Sequence, residues 1–328
     1  MSDFVPPRGF EEALRPPVDV RRARITPSIL RPSRGTGEAS ARLAQVARRA
    51  PEVMVKITGR TRDGGHLQRH LDYISRNGAL PLEGPDGERL KGRSEVRELA
   101  HDWAEELATE PGRRRDAPVS LSIVLSMPAG TEAFRLHDAA QAFAADVFGD
   151  RFPYVFALHD EGRHPHVHLT VRMLGRDGER LNPRKADLQT WREGFARALR
   201  DRSVEAEATP RRARGVARKA ERTPVRKMCE RFVAGKGALP KVLAAAYREA
   251  LKAGGGNGPW LAKIRARELA VRRALVAEAL RLGRSERAED RALAALVERF
   301  VRERPVPETR DQALRRTAAE RDRSGRTR

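Results

Sequence analysis

The sequence predicts an α+β fold, a mainly antiparallel sheet with flanking helices, followed by a basic helical C-terminal region. Segments with the alternating or continuous apolar pattern of strands occur near residues 53–58, 119–126, 154–158 and 169–171. Amphipathic segments typical of helices lie between the first three of them and after the last. Only a short turn separates the last two strands, so we expect them to pair antiparallel. This order favours an α+β fold over regular alternation of strands and helices.

Local signals place the helices along the chain. They are predicted at residues 65–75, 94–107, 131–148 and 188–202. Asn77-Gly78 stops the first helix because this pair favours a turn. Val96 and Trp103 lie on one apolar face of the second, and Thr131 can cap the third.

Changes of composition divide the chain into five segments. Pro and Arg are frequent near the N-terminus, and basic residues dominate again after about residue 205. Helices rich in Ala, Leu, Arg and Glu are predicted at 239–253, 259–282 and 285–303. We therefore expect a disordered basic arm at 1–50, a folded domain at 51–205, a basic linker at 206–238, a helical region at 239–304 and a basic tail at 305–328.

The charge balance indicates a polyanionic partner. The 328 residues include 66 Lys and Arg against 45 Asp and Glu, a formal net charge of +21. A genome rich in G and C could explain a preference for Arg but not this surplus of cations, and nucleic acid is the most economical partner. The single cysteine, Cys229, excludes an intramolecular disulfide. With no apolar run of about 20 residues and no signal-peptide pattern, we expect a cytoplasmic protein without a membrane segment.

Half of the eight histidines lie in one segment, His159 to His168. His164, His166 and His168 alternate along a strand, so they can share one face, and His159 can fold back against them. Neutral imidazoles that converge are typical of a metal site, although non-ligating histidines of a His-rich strand are the alternative. We predict His159, His166 and His168 as ligands. Pro165 can rotate His164 away, which makes it a candidate substrate contact, and Glu161 can accept an imidazole N–H.

A metal held by three side chains keeps positions open for a phosphodiester oxygen, and it can stabilise the charge that builds there. The bond can be opened by water or by a side-chain oxygen. Tyr73 is a candidate nucleophile beside Arg76, although a phenol needs a base or a cation to act in this way. Taken alone, a tyrosine in an amphipathic helix is more often a packing residue.

Three motifs together resemble those of the HUH-class conjugative relaxases, in the branch that includes the T-DNA border endonucleases. Leu71-Asp72-Tyr73-Ile74-Ser75-Arg76-Asn77-Gly78 is similar to the nucleophile motif of that family. The segment Ser122–Thr131 resembles the second motif, whose serine, here Ser126, lies near the DNA backbone. The segment His159–His168 resembles the third, metal-binding motif. The resemblance covers about residues 53–225 and departs from the family at two positions. Glu161 stands where an Asp is usual, and Leu169-Thr170-Val171-Arg172 lacks a common Asn.

The resemblance implies a relaxase nuclease domain that nicks single-stranded DNA at a transfer origin. Tyr73 would attack the phosphate and form a 5′-phosphotyrosine, with Glu161 assisting the metal site. Arg76, Ser126, His164 and Arg172 would contact DNA. The family uses Mg²⁺ or Mn²⁺, whereas three imidazoles by themselves favour a softer ion such as Zn²⁺. Relaxosome accessory proteins and the coupling protein of a secretion system are the implied partners, and conjugation or plasmid mobilisation is the implied process.

Three alternatives stay open at this point. A rolling-circle replication initiator or a transposase of the same class shares these residues, but its tyrosine often follows the histidines. A relaxosome DNA-binding protein without activity would also be basic. The C-terminal helices could bind DNA, contact accessory proteins, carry a secretion signal or simply stabilise the chain.

Overall fold

The computed structural model describes residues 25, 37–109, 117–161, 164–209, 214, 223–252, 259–306 and 312–316. These residues form two compact units. One lies within residues 16–209, and the other contains the described residues from 210 onward. None of the described helices is long and apolar enough to cross a membrane.

The first unit is an α+β domain with one open sheet. Its elements in chain order are α1 (Gly37–Ala47), β1 (Met54–Thr61), α2 (Gly64–Ile74), β2 (Leu82–Glu83), β3 (Arg89–Leu90), α3 (Gly92–Ala108), β4 (Ser120–Ser126), α4 (Ala133–Phe148), β5 (Tyr154–His159), β6 (His166–Arg172) and α5 (Lys185–Arg200). The strand order is β1-β4-β6-β5-β2-β3, and the described strand pairs are antiparallel. The predicted fold class is confirmed.

One face of the sheet carries the main apolar core. Alternate residues of β4 and β6, such as Ile123 and Leu169, lie opposite each other on this face and are fully buried. They pack with aromatic side chains of the two helices on that side, including Phe143 of α4 and Trp191 of α5. This continuous apolar surface fixes the positions of β4, β5 and β6.

The opposite face is more polar and is covered by α2. Leu67, Leu71 and Ile74 of this helix are fully buried and form a smaller apolar cluster with Val155 and Ala157 of β5. The remaining positions on this face of β4 and β6 are mostly hydroxyl and imidazole side chains: Ser120, Ser122, Ser126, His166, His168 and Thr170. A helix therefore lies across the centre of the sheet next to a row of polar groups.

Both ends of α2 are fixed by specific backbone contacts. The Asp63 side chain accepts a hydrogen bond from the His66 backbone N–H, at 2.7 Å, and caps the first turn. After the helix, Arg76, Asn77 and Gly78 have φ values of 54°, 58° and 83°. A Cβ atom on Gly78 would lie 2.4 Å from the backbone carbon of Gly92, so a larger residue does not fit there.

Two of the predicted segment boundaries are wrong. The expected disordered arm at 1–50 contains helix α1, whose Leu43 and Val46 are buried, while most of residues 1–36 lie outside the described residues. The expected linker begins too early, because the Val53 backbone N–H donates to the Glu207 carbonyl and residues 206–209 are buried in the first unit. Frequent Arg residues in both segments concealed these short apolar patterns.

The second unit is helical, as predicted for this region. Its helices are α6 (Thr223–Val233), α7 (Lys241–Lys252), α8 (Pro259–Gly283) and α9 (Ala288–Arg302). Helix α6 lies inside the segment that we expected to be a linker. The last three agree with the predicted helices. Glu268 of α8 binds Arg304, which follows α9, through two contacts of 2.9 Å, and this pair ties the two helices together.

Candidate active site

The three histidines predicted as metal ligands lie together at one end of β5 and β6. His159 and His166 are cross-strand partners at the end of these strands, and His168 lies two residues further along β6 on the same face. One nitrogen from each ring lies within 4.8 Å of the other two. The antiparallel register of β5 and β6 therefore produces the convergence that the alternating histidines predict.

Hydrogen bonds to backbone carbonyls fix the tautomers of two of these rings. His159 Nε2–H donates to the Ile74 carbonyl at 2.7 Å, and His166 Nδ1–H donates to the His164 carbonyl at 3.1 Å. Because a carbonyl only accepts, the other nitrogen of each neutral ring carries a lone pair. Two nitrogens of the cluster, His159 Nδ1 and His168 Nε2, are buried without a hydrogen-bond partner.

The cluster favours neutral rings. Burial is the main cause that lowers the pKa of His168 to about 3, and the neighbouring His159 and His166 lower it further. Burial also lowers the pKa of His159, while its bond to Ile74 acts in the opposite direction. Buried lone pairs on neutral imidazoles are the donor set that a divalent cation needs, so these residues fit a metal site.

Tyr73 lies beside the histidine cluster. Its ring centroid is 5.7 Å from that of His168, in an edge-to-face arrangement, and 6.4 Å from that of His159. The side chain is 57% exposed, so its ring is open to a substrate from solvent. The phenol and the imidazoles come from distant segments of the sequence, since 86 positions separate Tyr73 from His159. The packing of α2 on the sheet brings them together.

The other two tyrosines are placed differently. Tyr154 is 1% exposed and belongs to the main core on the opposite face of the sheet, where burial raises the pKa of its phenol to about 12. Tyr247 lies on α7 in the second unit. Within the first unit, Tyr73 is thus the phenol that a substrate at the histidine cluster can reach.

Arg76 and Glu161 form an ion pair next to Tyr73. The Arg76 guanidinium lies 5.9 Å from the centroid of the Tyr73 ring and 3.4 Å from a Glu161 carboxylate oxygen. We expected Glu161 to accept an imidazole N–H, but the backbone carbonyls of Ile74 and His164 accept the N–H groups of the two rings described above. Glu161 therefore does not accept these two N–H groups, and its carboxylate pairs with Arg76 instead.

Ser126 and His164 flank the cluster on the β4 side. Ser126 is the cross-strand partner of His166, and its buried hydroxyl donates to the Pro165 carbonyl at 3.2 Å. This bond fixes the turn that leads into β6. The His164 side chain is exposed, in agreement with the expected outward rotation at Pro165. Contacts of either residue with DNA stay predictions.

Arg172 lies at the far end of β6. It follows His168 by four positions, which is about 13 Å along a strand. Its guanidinium pairs with Glu106 of α3, and its side chain is 12% exposed. Arg172 thus lies away from the histidine cluster and is paired with a carboxylate of a distant helix, and its contact with DNA stays a prediction.

Sequence reasoning missed one residue of this face, His70. Its Nε2 lies 2.9 Å from the Thr170 hydroxyl and 3.0 Å from the Ser122 hydroxyl. Burial, together with the charge of His66, lowers the pKa of His70 to about 4. The available signal was its position three residues before Tyr73, because residues at this spacing are neighbours on a helix.

The comparisons with known proteins agree with this geometry. Residues 83–203 match the model of the family described as "Relaxase: MobA/VirD2-like, nuclease domain". This part of the chain is therefore similar to the nuclease domain of the MobA/VirD2-like relaxases. The matched segment contains Ser126 and the three clustered histidines, while Tyr73 lies ten residues before its start.

Curated relatives of this chain are T-DNA border endonucleases named VirD2. The protein of Agrobacterium fabrum strain C58 is 29% identical over 154 residues, which are 42% of this chain and 34% of that protein. The protein of Rhizobium radiobacter is 28% identical over 51% of this chain and 43% of its own length. The chain thus matches less than half of the length of these relatives. A solved structure described as "Molecular Basis of Vancomycin Resistance Transfer in Staphylococcus aureus" aligns with 48% of this chain and 98% of its own, with 14% identity and a TM-score of 0.34.

Proposed function

We propose that this protein is a DNA relaxase, a site-specific endonuclease and transesterase that nicks single-stranded DNA at a transfer origin. The observation that carries the proposal is the position of the exposed Tyr73 ring, 5.7 Å from His168 in a cluster of three histidines. The family of the nuclease domain and the net charge of +21 support DNA as the substrate.

The proposed reaction exchanges one phosphodiester for another. The Tyr73 oxygen forms a bond to phosphorus while the bond from phosphorus to the 3′-oxygen breaks. The phenol loses its proton and the departing 3′-oxygen gains one, which leaves a 5′-phosphotyrosine and a 3′-hydroxyl. Because the energy of the phosphodiester is conserved, the reverse attack by a 3′-hydroxyl can rejoin strands without a nucleotide cofactor.

The residues of the chain prepare the phosphate and the phenol for this step. His159, His166 and His168 would hold a divalent cation, Mg²⁺ or Mn²⁺ by family resemblance, which supplies Lewis-acid stabilisation of charge on the phosphate oxygens. Arg76 lies next to the Tyr73 ring and offers a cation to the phenolate or the incoming phosphate. Glu161 keeps this guanidinium in place until DNA competes for it.

The biological process is part of the same proposal. A covalent 5′-end is suited to conjugative transfer or mobilisation of a plasmid, in which the protein would leave the cytoplasm attached to the strand. Relaxosome accessory proteins and a secretion-system coupling protein would then be partners. The cationic surface provides affinity for DNA that does not depend on sequence and weakens with salt.

The nucleophile can be tested with a covalent-adduct gel. The full chain is incubated with Mn²⁺ and a pool of labelled single-stranded oligonucleotides that tile the DNA flanking its gene. We expect a labelled protein band that Tyr73→Phe abolishes and Tyr247→Phe retains, because Tyr247 lies on α7 in the other unit. An adduct with Tyr73→Phe as strong as that of the unchanged protein would disprove the assignment.

A further inference from the structure

His70 joins the helix of Tyr73 to the strand of the histidine cluster. It lies three residues before Tyr73 on α2, and its Nε2 reaches the hydroxyls of Ser122 on β4 and Thr170 on β6. Ser122 and Thr170 are direct cross-strand partners, and they are 5% and 0% exposed. One imidazole nitrogen therefore binds a buried pair of hydroxyls on two adjacent strands.

The second of these hydroxyls lies close to the candidate metal site. Thr170 follows His168 by two residues, so both side chains are on the same face of β6. His70 is not one of the three clustered rings, because its Nε2 is engaged by the hydroxyls instead. The contact thus sets where α2 lies relative to the strand that carries the cluster.

The apolar contacts of α2 leave its rotation less well defined. Leu67, Leu71 and Ile74 hold the helix against the sheet, but hydrophobic contacts have little directional preference. Hydrogen bonds weaken steeply when their angles change, so the bonds of His70 oppose a roll of the helix about its axis. A roll of about 10° would move a side-chain tip by about 1 Å at the usual helix radius. Such a displacement can reduce a reaction rate by about 10²-fold.

We propose that His70 is a positioning residue, which fixes the rotation of α2 through Ser122 and Thr170 and so holds the Tyr73 phenol against the histidine cluster. The inference rests on the proposed function for its effect on rate, but not for its effect on geometry. A neutral ring suits this position, because the pKa of His70, lowered to about 4, keeps a positive charge away from a cation site.

Two substitutions at His70 separate hydrogen bonding from packing. His70→Leu removes the bonds and retains an apolar side chain, whereas His70→Gln can place an amide nitrogen near the position of Nε2. The double variant Ser122→Ala with Thr170→Val removes the partners and leaves the imidazole in place. His66→Leu is the matched control, since His66 is exposed one turn earlier on the same helix.

The geometry can be measured without DNA or metal. In the metal-free full chain with isotopically labelled tyrosine rings, an NMR cross-relaxation signal should join the Tyr73 and His168 rings, and Tyr73→Phe identifies it. We expect His70→Leu and the double variant to lose this signal, and His70→Gln and His66→Leu to keep it. Circular dichroism checks that each variant is folded.

The effect on rate is measured with the adduct assay described above. His70→Leu should form the adduct about 10²-fold more slowly, with binding of Mn²⁺ and of the oligonucleotides within twofold of the unchanged protein. His70→Gln should recover most of the rate. A ring signal and a rate unchanged in His70→Leu would overturn the inference, and so would equal defects in Leu and Gln variants that are both folded.

The outcomes distinguish this inference from the proposed function. Loss of Mn²⁺ binding in His70→Leu would show that His70 acts on the metal site and would overturn the positioning role. If the unchanged protein forms no adduct, the proposed function fails, but the ring signal still decides whether His70 orients Tyr73.

Discussion

The two faces of the central sheet show opposite ways of using buried side chains. On one face, residues such as Ile123, Leu169 and Phe143 are buried among apolar neighbours. On the other face, His159 Nδ1 and His168 Nε2 are buried without hydrogen-bond partners. An unpartnered buried polar atom costs about 1–3 kcal/mol, so this face gives up stability that the apolar face supplies.

On a sheet of this kind, a reactive site is expected on the polar face. The stability of the apolar face depends on the volumes of its side chains, so one apolar residue can replace another of similar size. The polar face depends on the direction in which individual nitrogen and oxygen atoms point. Substitutions on the two faces should therefore separate activity from stability.

Loss of two histidines should abolish the reaction and spare the fold. His166→Ala combined with His168→Ala removes two of the three clustered rings, and we expect adduct formation to fall by about 10³-fold or more. Binding of the oligonucleotide pool, measured by fluorescence anisotropy without metal, should change little because the basic surface remains. Adduct formation at the normal rate would remove the ligand assignment.

Truncation on the apolar face should have the reverse outcome. Phe143 is fully buried against Phe148 and Phe195, and Phe143→Ala is expected to lower the free energy of unfolding by about 3–5 kcal/mol. Urea denaturation measures this loss. At temperatures where the variant stays folded, its adduct rate should match that of the unchanged protein, and a specific loss of rate would show that the faces are not separable.

Acid should weaken the polar face through His70. The unfolded chain binds a proton near the ordinary histidine pKa of 6.5, while the folded chain does so only near pH 4, because of burial and the adjacent His66. Stability from neutral His70 is therefore fully present above pH 6.5 and is lost as the pH falls toward 4.

Between pH 7 and pH 5, the free energy of unfolding of the metal-free protein should fall by about 1–2 kcal/mol more than that of the His70→Leu variant. Denaturation with urea at several pH values gives the slope of the free energy of unfolding against pH for each of the two proteins. His168 on β6 is the other titratable ring that interacts with His70, so both proteins must be compared with His168 intact. Parallel slopes would show that His70 does not carry this pH dependence.

Removal of one unpartnered nitrogen should stabilise the metal-free protein. His168→Leu replaces a ring whose Nε2 has no partner, and we expect the free energy of unfolding to rise by about 1 kcal/mol. Calorimetry with a chelator present measures the change, with the exposed His101→Leu as the control. A clear decrease in stability would mean that the packing of the His168 ring outweighs the cost of its unpartnered nitrogen.

Strong local patterns made much of the fold predictable. The alternating residues of β4 and the apolar face of α4 predicted these elements to within a few residues. The strands β2 and β3 have two residues each, too few to show a period, and α1 lies in a segment dominated by Arg and Ala. Whether a short segment is buried depends on residues far away in the sequence. A local pattern holds no information about those residues.

The candidate site was predictable where its residues lie close in sequence. The alternation of His166 and His168 on one strand indicated the cluster, but the partners of Glu161 and Arg172 are Arg76 and Glu106, far away in the chain. His70 was missed for the same reason, since its role depends on contacts with hydroxyls that lie 52 and 100 residues away in the sequence. The ligand role of the histidines stays a prediction.

The requirement for a glycine at position 78 limits how this domain can evolve. Its α-carbon meets the backbone of Gly92 so closely that a methyl group would collide with main-chain atoms on the opposite segment. The chain between these two glycines can vary in length or composition as long as both ends return to this contact. Inserted residues there would change the domain surface. Alanine at Gly78 would instead push α2 and α3 apart and displace the phenol of Tyr73.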